Sequence, residues 1–130
     1  MIIDKNLQVS AAQAVTASAA STDYIDQGAA GDAYEPLKLV VQVREAATAS
    51  GSATVNFQVE TDSDSGFATA KVVAFDSGAI GKAALTLNSE PVKVTLPYGM
   101  KRYIRVYYTV ATGPLTAGKF DAFLVKDVKV

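Results

Sequence analysis

From Leu37 onward, apolar side chains recur at every second position, the spacing of a strand with one buried face. Leu37, Leu39, Val41 and Val43 alternate with Lys38, Val40, Gln42 and Arg44, before a small polar connection ending in Ser50-Gly51-Ser52. Val55, Phe57 and Val59 alternate with Thr54, Asn56, Gln58 and Glu60, and the run stops at the turn-forming sequence Thr61-Asp62-Ser63-Asp64-Ser65-Gly66. The same pattern predicts strands over Lys71 to Asp76, Val92 to Leu96, Arg102 to Ala111 and Lys119 to Lys126. Turn chemistry at Asp76-Ser77-Gly78, Pro97-Tyr98-Gly99 and Thr112-Gly113-Pro114 separates them. Strands at this spacing, with helical periodicity nearly absent, predict an all-β chain folded as an antiparallel β-sandwich or barrel. Its core is expected to hold Val41, Val43, Phe57, Val59, Val94, Ile104, Val106 and Tyr108.

The pattern fails before Leu37. Ala11 to Thr22 is a low-complexity tract of Ala, Ser and Thr with one Gln, and no apolar stripe marks a buried face. Residues 1–22 are therefore expected to form an extended N-terminal arm, with one turn at most after Ser10, that orders only against another molecule. Residues 23–130 are expected to form the β-sandwich domain, entered by a short strand at Tyr24 to Asp26 and a Gly28-Ala29-Ala30-Gly31-Asp32 loop.

Composition changes this picture mainly by what it lacks. A chain of 130 residues fits one domain, and 49% hydrophobic residues can supply its core. There is no Cys, His or Trp. Disulfides, thiolate nucleophiles, Ser-His-Asp triads and ordinary zinc sites are thereby excluded. No catalytic residue, cofactor or metal is expected. With 12 Lys+Arg against 13 Asp+Glu, the net charge of −1 gives no reason to expect nucleic acid or a membrane as partner. The N-terminus does not read as a signal peptide, and no apolar run approaches the roughly 18 residues of a membrane span. Charge is uneven along the chain. Residues 1–70 carry three basic and nine acidic side chains, and residues 71–130 carry nine and four. Folding interleaves such halves unless they build a dipole that orients the domain on a charged partner.

Three segments merit separate reading. Asp62-Ser63-Asp64-Ser65-Gly66 resembles the start of a calcium loop, but Gly comes too early and both flanks read as strands, so a polar hairpin turn is expected. In Lys101-Arg102-Tyr103-Ile104-Arg105-Val106-Tyr107-Tyr108, parity sends Ile104, Val106 and Tyr108 to the core and Tyr103, Arg105 and Tyr107 to the opposite face. A protein interface ranks first for that face, exposed cross-strand pairing close behind, and nucleic-acid stacking a distant third. In Phe120-Asp121-Ala122-Phe123-Leu124-Val125 apolar residues occupy both parities, as in a strand covered on both sides by a loop, the arm or a second subunit. The interface candidates are therefore Tyr103, Arg105, Tyr107, Phe123 and Val125. A carboxylate pair for glycoside hydrolysis drawn from Asp62, Asp64, Asp76 or Asp121 is conceivable, but nothing in the sequence sets two across a cleft.

Several segments carry a resemblance: Met1 to Leu7, Ala12-Gln13-Ala14-Val15-Thr16, Ser21-Thr22-Asp23-Tyr24-Ile25-Asp26, Lys101 to Tyr108, and Thr116-Ala117-Gly118-Lys119. Together they resemble the jelly-roll cement, or decoration, proteins of tailed-bacteriophage capsids, the group of the Bordetella phage cement protein. The resemblance implies a jelly-roll sandwich on the outer surface of a phage capsid, made in the bacterial cytoplasm, that bridges subunits of the major capsid protein. A homo-oligomer is expected, a dimer ahead of a trimer. The other reading of the same sandwich is a carbohydrate-binding module of a phage surface appendage, although 8% aromatic residues without Trp make a poor sugar platform.

Overall fold

The computed structural model describes residues 4–31 and 37–126. Among these residues nine strands make up nearly all the regular structure: β1 (Gln8–Ala14), β2 (Ala19–Ala20), β3 (Ile25–Asp26), β4 (Lys38–Thr48), β5 (Thr54–Asp62), β6 (Val72–Gly81), β7 (Val92–Thr95), β8 (Tyr103–Ala111) and β9 (Ala117–Val125). Two single 3-10 turns, Lys5–Leu7 and Lys82–Ala84, are the only helical elements among the described residues. One sheet has the order β1-β9-β4-β7, and the other β2-β8-β5-β6 with β3 also on β8. All pairs are antiparallel. The pairings β1 with β9, β2 and β3 with β8, β4 with β7, and β5 with β6 nest two Greek keys into a jelly roll.

The two inner faces meet as the alternation predicts. Leu39, Val41 and Val43 of β4 and Phe120, Ala122 and Leu124 of β9 face Val55, Phe57 and Val59 of β5 and Ile104, Val106 and Tyr108 of β8. Phe57, Tyr108 and Phe120 form the centre. Phe57 stands edge-on to both partners, and Tyr108 stacks on Phe120 at 5.6 Å between centroids. Burial drives the Tyr108 phenol pKa up, while its hydroxyl donates to Ser10 Oγ at 2.7 Å. Val94 departs from expectation. It faces inward opposite Leu39, but it sits near the end of the four-residue edge strand β7 and stays half-buried, while Val92 opposite Val41 is buried.

The N-terminal tract departs further. Rather than waiting for another molecule, residues 8–14 pair with β9, Ala19 and Ala20 pair with β8, and Val9 and Val15 are buried. Polar side chains hold what apolar ones do not. Gln13 accepts from Ser10 Oγ and from Thr22 N, and donates to Ala20 O at 2.9 Å. Ser18 and Ser21 accept the N–H groups of Val110 and Val106 through their hydroxyls, extending the margin of β8 on either side of the Ala19–Ala20 pairing. Two register shifts interrupt β1, where left-handed Ala12 (φ 47°) donates its N–H to Asp121 Oδ1 at 2.6 Å. Met1 to Ile3 of the predicted arm, Asp32 of the predicted loop and residues 127–130 lie outside the described residues.

A second difference concerns Asp76-Ser77-Gly78, which is a bulge within β6 rather than a turn after it. Gly78 takes φ 74°, and Ser77 Oγ replaces a backbone carbonyl as acceptor for Phe57 N at 3.0 Å. The strand then runs on to Gly81.

Candidate functional site

The outer face of the β8 sheet carries the predicted aromatic row. Register sets Tyr103 opposite Asp62, Arg105 opposite Glu60 and Tyr107 opposite Gln58. Arg105 Nε donates to Glu60 Oε1 at 2.8 Å, and Lys71 Nζ lies 3.2 Å from Glu60 Oε2. Glu60 is only 2% exposed, so its side chain is enclosed with these two cations as its ion-pair partners. The Arg105 guanidinium also lies 4.2 Å from the centroid of the Phe67 ring and 5.6 Å from that of Tyr107.

Phe67 reaches this face because the β5–β6 connection folds back over it. Asp62 organises that fold. Its carboxylate accepts the N–H groups of Asp64, Thr69 and Ala70, which draws the connection down onto the sheet. Removal from water pushes the Asp62 carboxyl up, but donors from Ala70, Asp64, Ser63 and Thr69 together outweigh it and hold the pKa below its ordinary value. Lys101 Nζ clamps Ala70 O at 2.5 Å, and Phe67, in the left-handed region at φ 53°, closes the cap. The carboxylate oxygens that a calcium loop would turn to a cation are turned here to backbone N–H groups.

A second cluster continues the row. Tyr24 meets Tyr103 edge-on at 5.5 Å and Phe67 at 6.3 Å. Arg102 lies over Tyr103 and grips Asp26 through Nε at 2.8 Å and Nη2 at 3.1 Å. The Arg102 hydrogen bond, with the Gly28 N–H, holds the Asp26 pKa below its ordinary value and raises that of Arg102.

Toward the Tyr103 end of this row lie most of the large apolar side chains that remain in solvent among the described residues. Tyr24 is 50% exposed, Tyr98 90%, and Val72 and Val73 are nearly half exposed. β3, the start of β6 and the β7–β8 connection bring these four to the same end of the sandwich, whereas Leu87 is exposed elsewhere.

The structure thus brings Tyr103, Arg105 and Tyr107 together, each half-buried, and separates them from Phe123 and Val125. Those two lie on the outer face of the other sheet, where they cluster with Val40 and are closed within the chain. Tyr24, Phe67, Glu60 and Tyr98 were missed by sequence reasoning. The available signal was an apolar ring, Phe67, directly after a run of Asp, Ser and Gly. The uneven charge is absorbed by folding: every described ion pair except Lys93–Glu90 joins the first half of the chain to the second.

The sequence matches the Bbp16 family over residues 9–124, from Val9 in β1 to Leu124 in β9. The chain belongs to the Bbp16 family. Bbp16 is a Bordetella phage protein, in agreement with the resemblance read from the sequence, and the family is one of phage structural proteins associated with the virion. The match takes in the Ala/Ser/Thr tract as well as the regular strands, so the Bbp16 unit here is the complete two-sheet sandwich. No curated protein matches the chain. Among the described residues no helix is long and apolar enough to cross a membrane.

Proposed function

We propose that this Bbp16-family protein is a non-enzymatic cement protein that binds the outer surface of a phage capsid and stabilises contacts between major capsid subunits. The observation that carries the reading is the half-buried row Tyr103, Arg105 and Tyr107, extended by exposed Tyr24 and set on a rigid sheet by pairings within the chain. Broad aromatic area beside a guanidinium is the composition of interface hot spots, and side chains already fixed in place lose little entropy on docking. Stabilisation follows from linkage. A ligand that favours assembled over separated subunits shifts the balance by its differential binding free energy, repeated at each lattice site. Self-association is part of the proposal, but β9 no longer argues for it, because Phe123 and Val125 are covered within the chain.

Co-sedimentation with empty capsids tests the reading. The wild type should pellet with them, and the double change Tyr103→Ser with Tyr107→Ser should abolish pelleting while the domain stays folded, each ring contributing about 2 kcal/mol or more. Binding to a glycan array with no affinity for capsids would transfer the row to the carbohydrate reading.

A further inference from the structure

At the Tyr103 end of the β8 sheet, acids and bases are sorted by depth. The acids lie low: the Glu60 side chain is 3% exposed, and Asp62 is fully buried beneath the β5–β6 connection. Asp64 is half-buried in that connection, where Thr69 Oγ1 donates to its Oδ2 at 3.4 Å. The cations stand above them, with the Lys71 side chain 43% exposed and that of Arg102 45%. Asp26 shares the surface at 41%, while Asp76 lies farther along β6, opposite Gln58. Sunken carboxylates under standing cations form a charge layer with its positive side outward, so a group approaching this face meets the cations first.

The register fixes the spacing of those cations. Arg102 is held by Asp26 of β3, and Lys71 by Glu60 of β5. Asp26 lies opposite Tyr103, and Tyr103 opposite Asp62, two residues from Glu60. Two strand spacings across the sheet and two residues along it separate Asp26 from Glu60 by roughly 12 Å. The Tyr24 and Tyr103 rings, edge-on to one another, lie at the Asp26 end of that interval, and exposed Val72 and Val73 adjoin Lys71. An extended chain covers about 13 Å in four residues and turns residues i, i+2 and i+4 to one side. Carboxylates four residues apart therefore match the two cations, with the residue midway between them over the aromatic pair.

We propose that this end of the sheet binds an acidic, extended segment of a capsid subunit across its face, with one carboxylate on Arg102, another on Lys71 and an apolar residue between them on Tyr24 and Tyr103; this rests on the cement reading above. Charge selects this occupant over a second copy. A two-fold contact through the same patch brings cations toward cations, and like charges across an interface repel. Arg102 can serve two carboxylates. Asp26 engages its Nε and Nη2, and the guanidinium has further N–H donors to offer.

Affinity for empty capsids, read by co-sedimentation, is the test. Raising salt from about 0.1 M to about 1 M shortens the screening length from about 10 Å to about 3 Å and should weaken wild-type binding by about tenfold. Arg102→Gln and Lys71→Gln should each lower affinity by about fivefold at the lower salt. Lys119→Gln, which removes a cation of similar exposure paired with Glu45 on the other sheet, should leave affinity unchanged. Asp26→Asn releases Arg102 to the partner and should tighten binding by about threefold. Wild-type affinity in both folded glutamine variants of the patch, or an equal loss in Lys119→Gln, overturns the acidic segment and leaves the cement reading standing. Binding that salt leaves unchanged or strengthens does the same. Weaker binding by a folded Asp26→Asn chain would assign a basic partner to this end, and a wild-type dimer that Arg102→Gln dissociates would assign a second copy; either overturns the proposal. If Lys71→Gln fails to fold, Arg102→Gln compared with Lys119→Gln decides. Absence of any wild-type binding to capsids overturns both proposals.

Discussion

The two outer faces of the sandwich start from similar sequence and end in different states. On β9 and β4, Phe123, Val125 and Val40 occupy outward positions and are sealed within the chain, with Arg44 bridged to Asp121 nearby. On β8 and β5, Tyr103, Arg105 and Tyr107 occupy equivalent positions and remain half in solvent over buried Glu60. The difference lies in what each side chain tolerates. A Phe or Val carries no polar atom and is best removed from water entirely, whereas a Tyr or Arg needs one end wet or paired. Outward parity therefore identifies a face, and side-chain chemistry decides whether that face closes or stays open to a partner.

The largest test of the contrast is Phe123→Ala. If the β9 face is a closed cluster, the change should destabilise the domain by about 3–5 kcal/mol in denaturant unfolding. A loss near zero would return Phe123 to the list of docking residues. Next comes Arg105→Ala, which leaves Glu60 with Lys71 alone and uncovers Phe67. A loss of about 3 kcal/mol is expected, as for a buried charge deprived of a partner. Stability unchanged by this substitution would mean that the pair acts only in docking. For Tyr103→Ser with Tyr107→Ser the expected loss of stability is smaller, about 1–2 kcal/mol in all, since both rings are already half exposed. A larger loss would assign the open face to the core.

Acid should separate the faces without mutation. Asp62, Asp26 and Asp76 all belong to the β8 sheet, and each titrates lower in the folded chain than in the unfolded one. The stability they supply is in place above the unfolded carboxylate value of about 3.8 and is lost as pH falls through their lower folded values. Hydrogen exchange below that range should rise first at Asp64, Thr69 and Ala70, whose N–H groups Asp62 holds, while the Val40, Phe123 and Val125 cluster keeps its protection. Simultaneous loss on both faces would contradict this order.

The strands were legible because their inward positions are large and apolar and recur without interruption, as in Leu39 to Val43 and Val55 to Val59. β1 was not, because its residues are fixed by hydrogen bonds to Gln13, Ser10 and Asp121 that span up to 109 positions and leave no periodic trace. Asp76-Ser77-Gly78 showed its turn chemistry truly, but a left-handed glycine and a local hydroxyl acceptor serve a bulge equally well. The aromatic face was visible by parity in β8. Its depth was not, since Phe67 and Tyr24 arrive from connections whose path is set by the buried carboxylate of Asp62 and by pairing at Ile25.

The antiparallel pairing of β1 with β9 has a mechanical consequence. Gln8 lies opposite Phe123 and Ala14 opposite Lys119, so a load applied through the outer ends of these two strands pulls them apart from one side. Rungs of the ladder then fail singly, as in a zipper, at low force. A load entering through the broad face of the β8 sheet instead meets many cross-strand bonds at once and is shared among them. Under load such a domain resists best when gripped by its face and poorly when tethered by those strand ends, a contrast that single-molecule pulling from the two attachment geometries would measure directly.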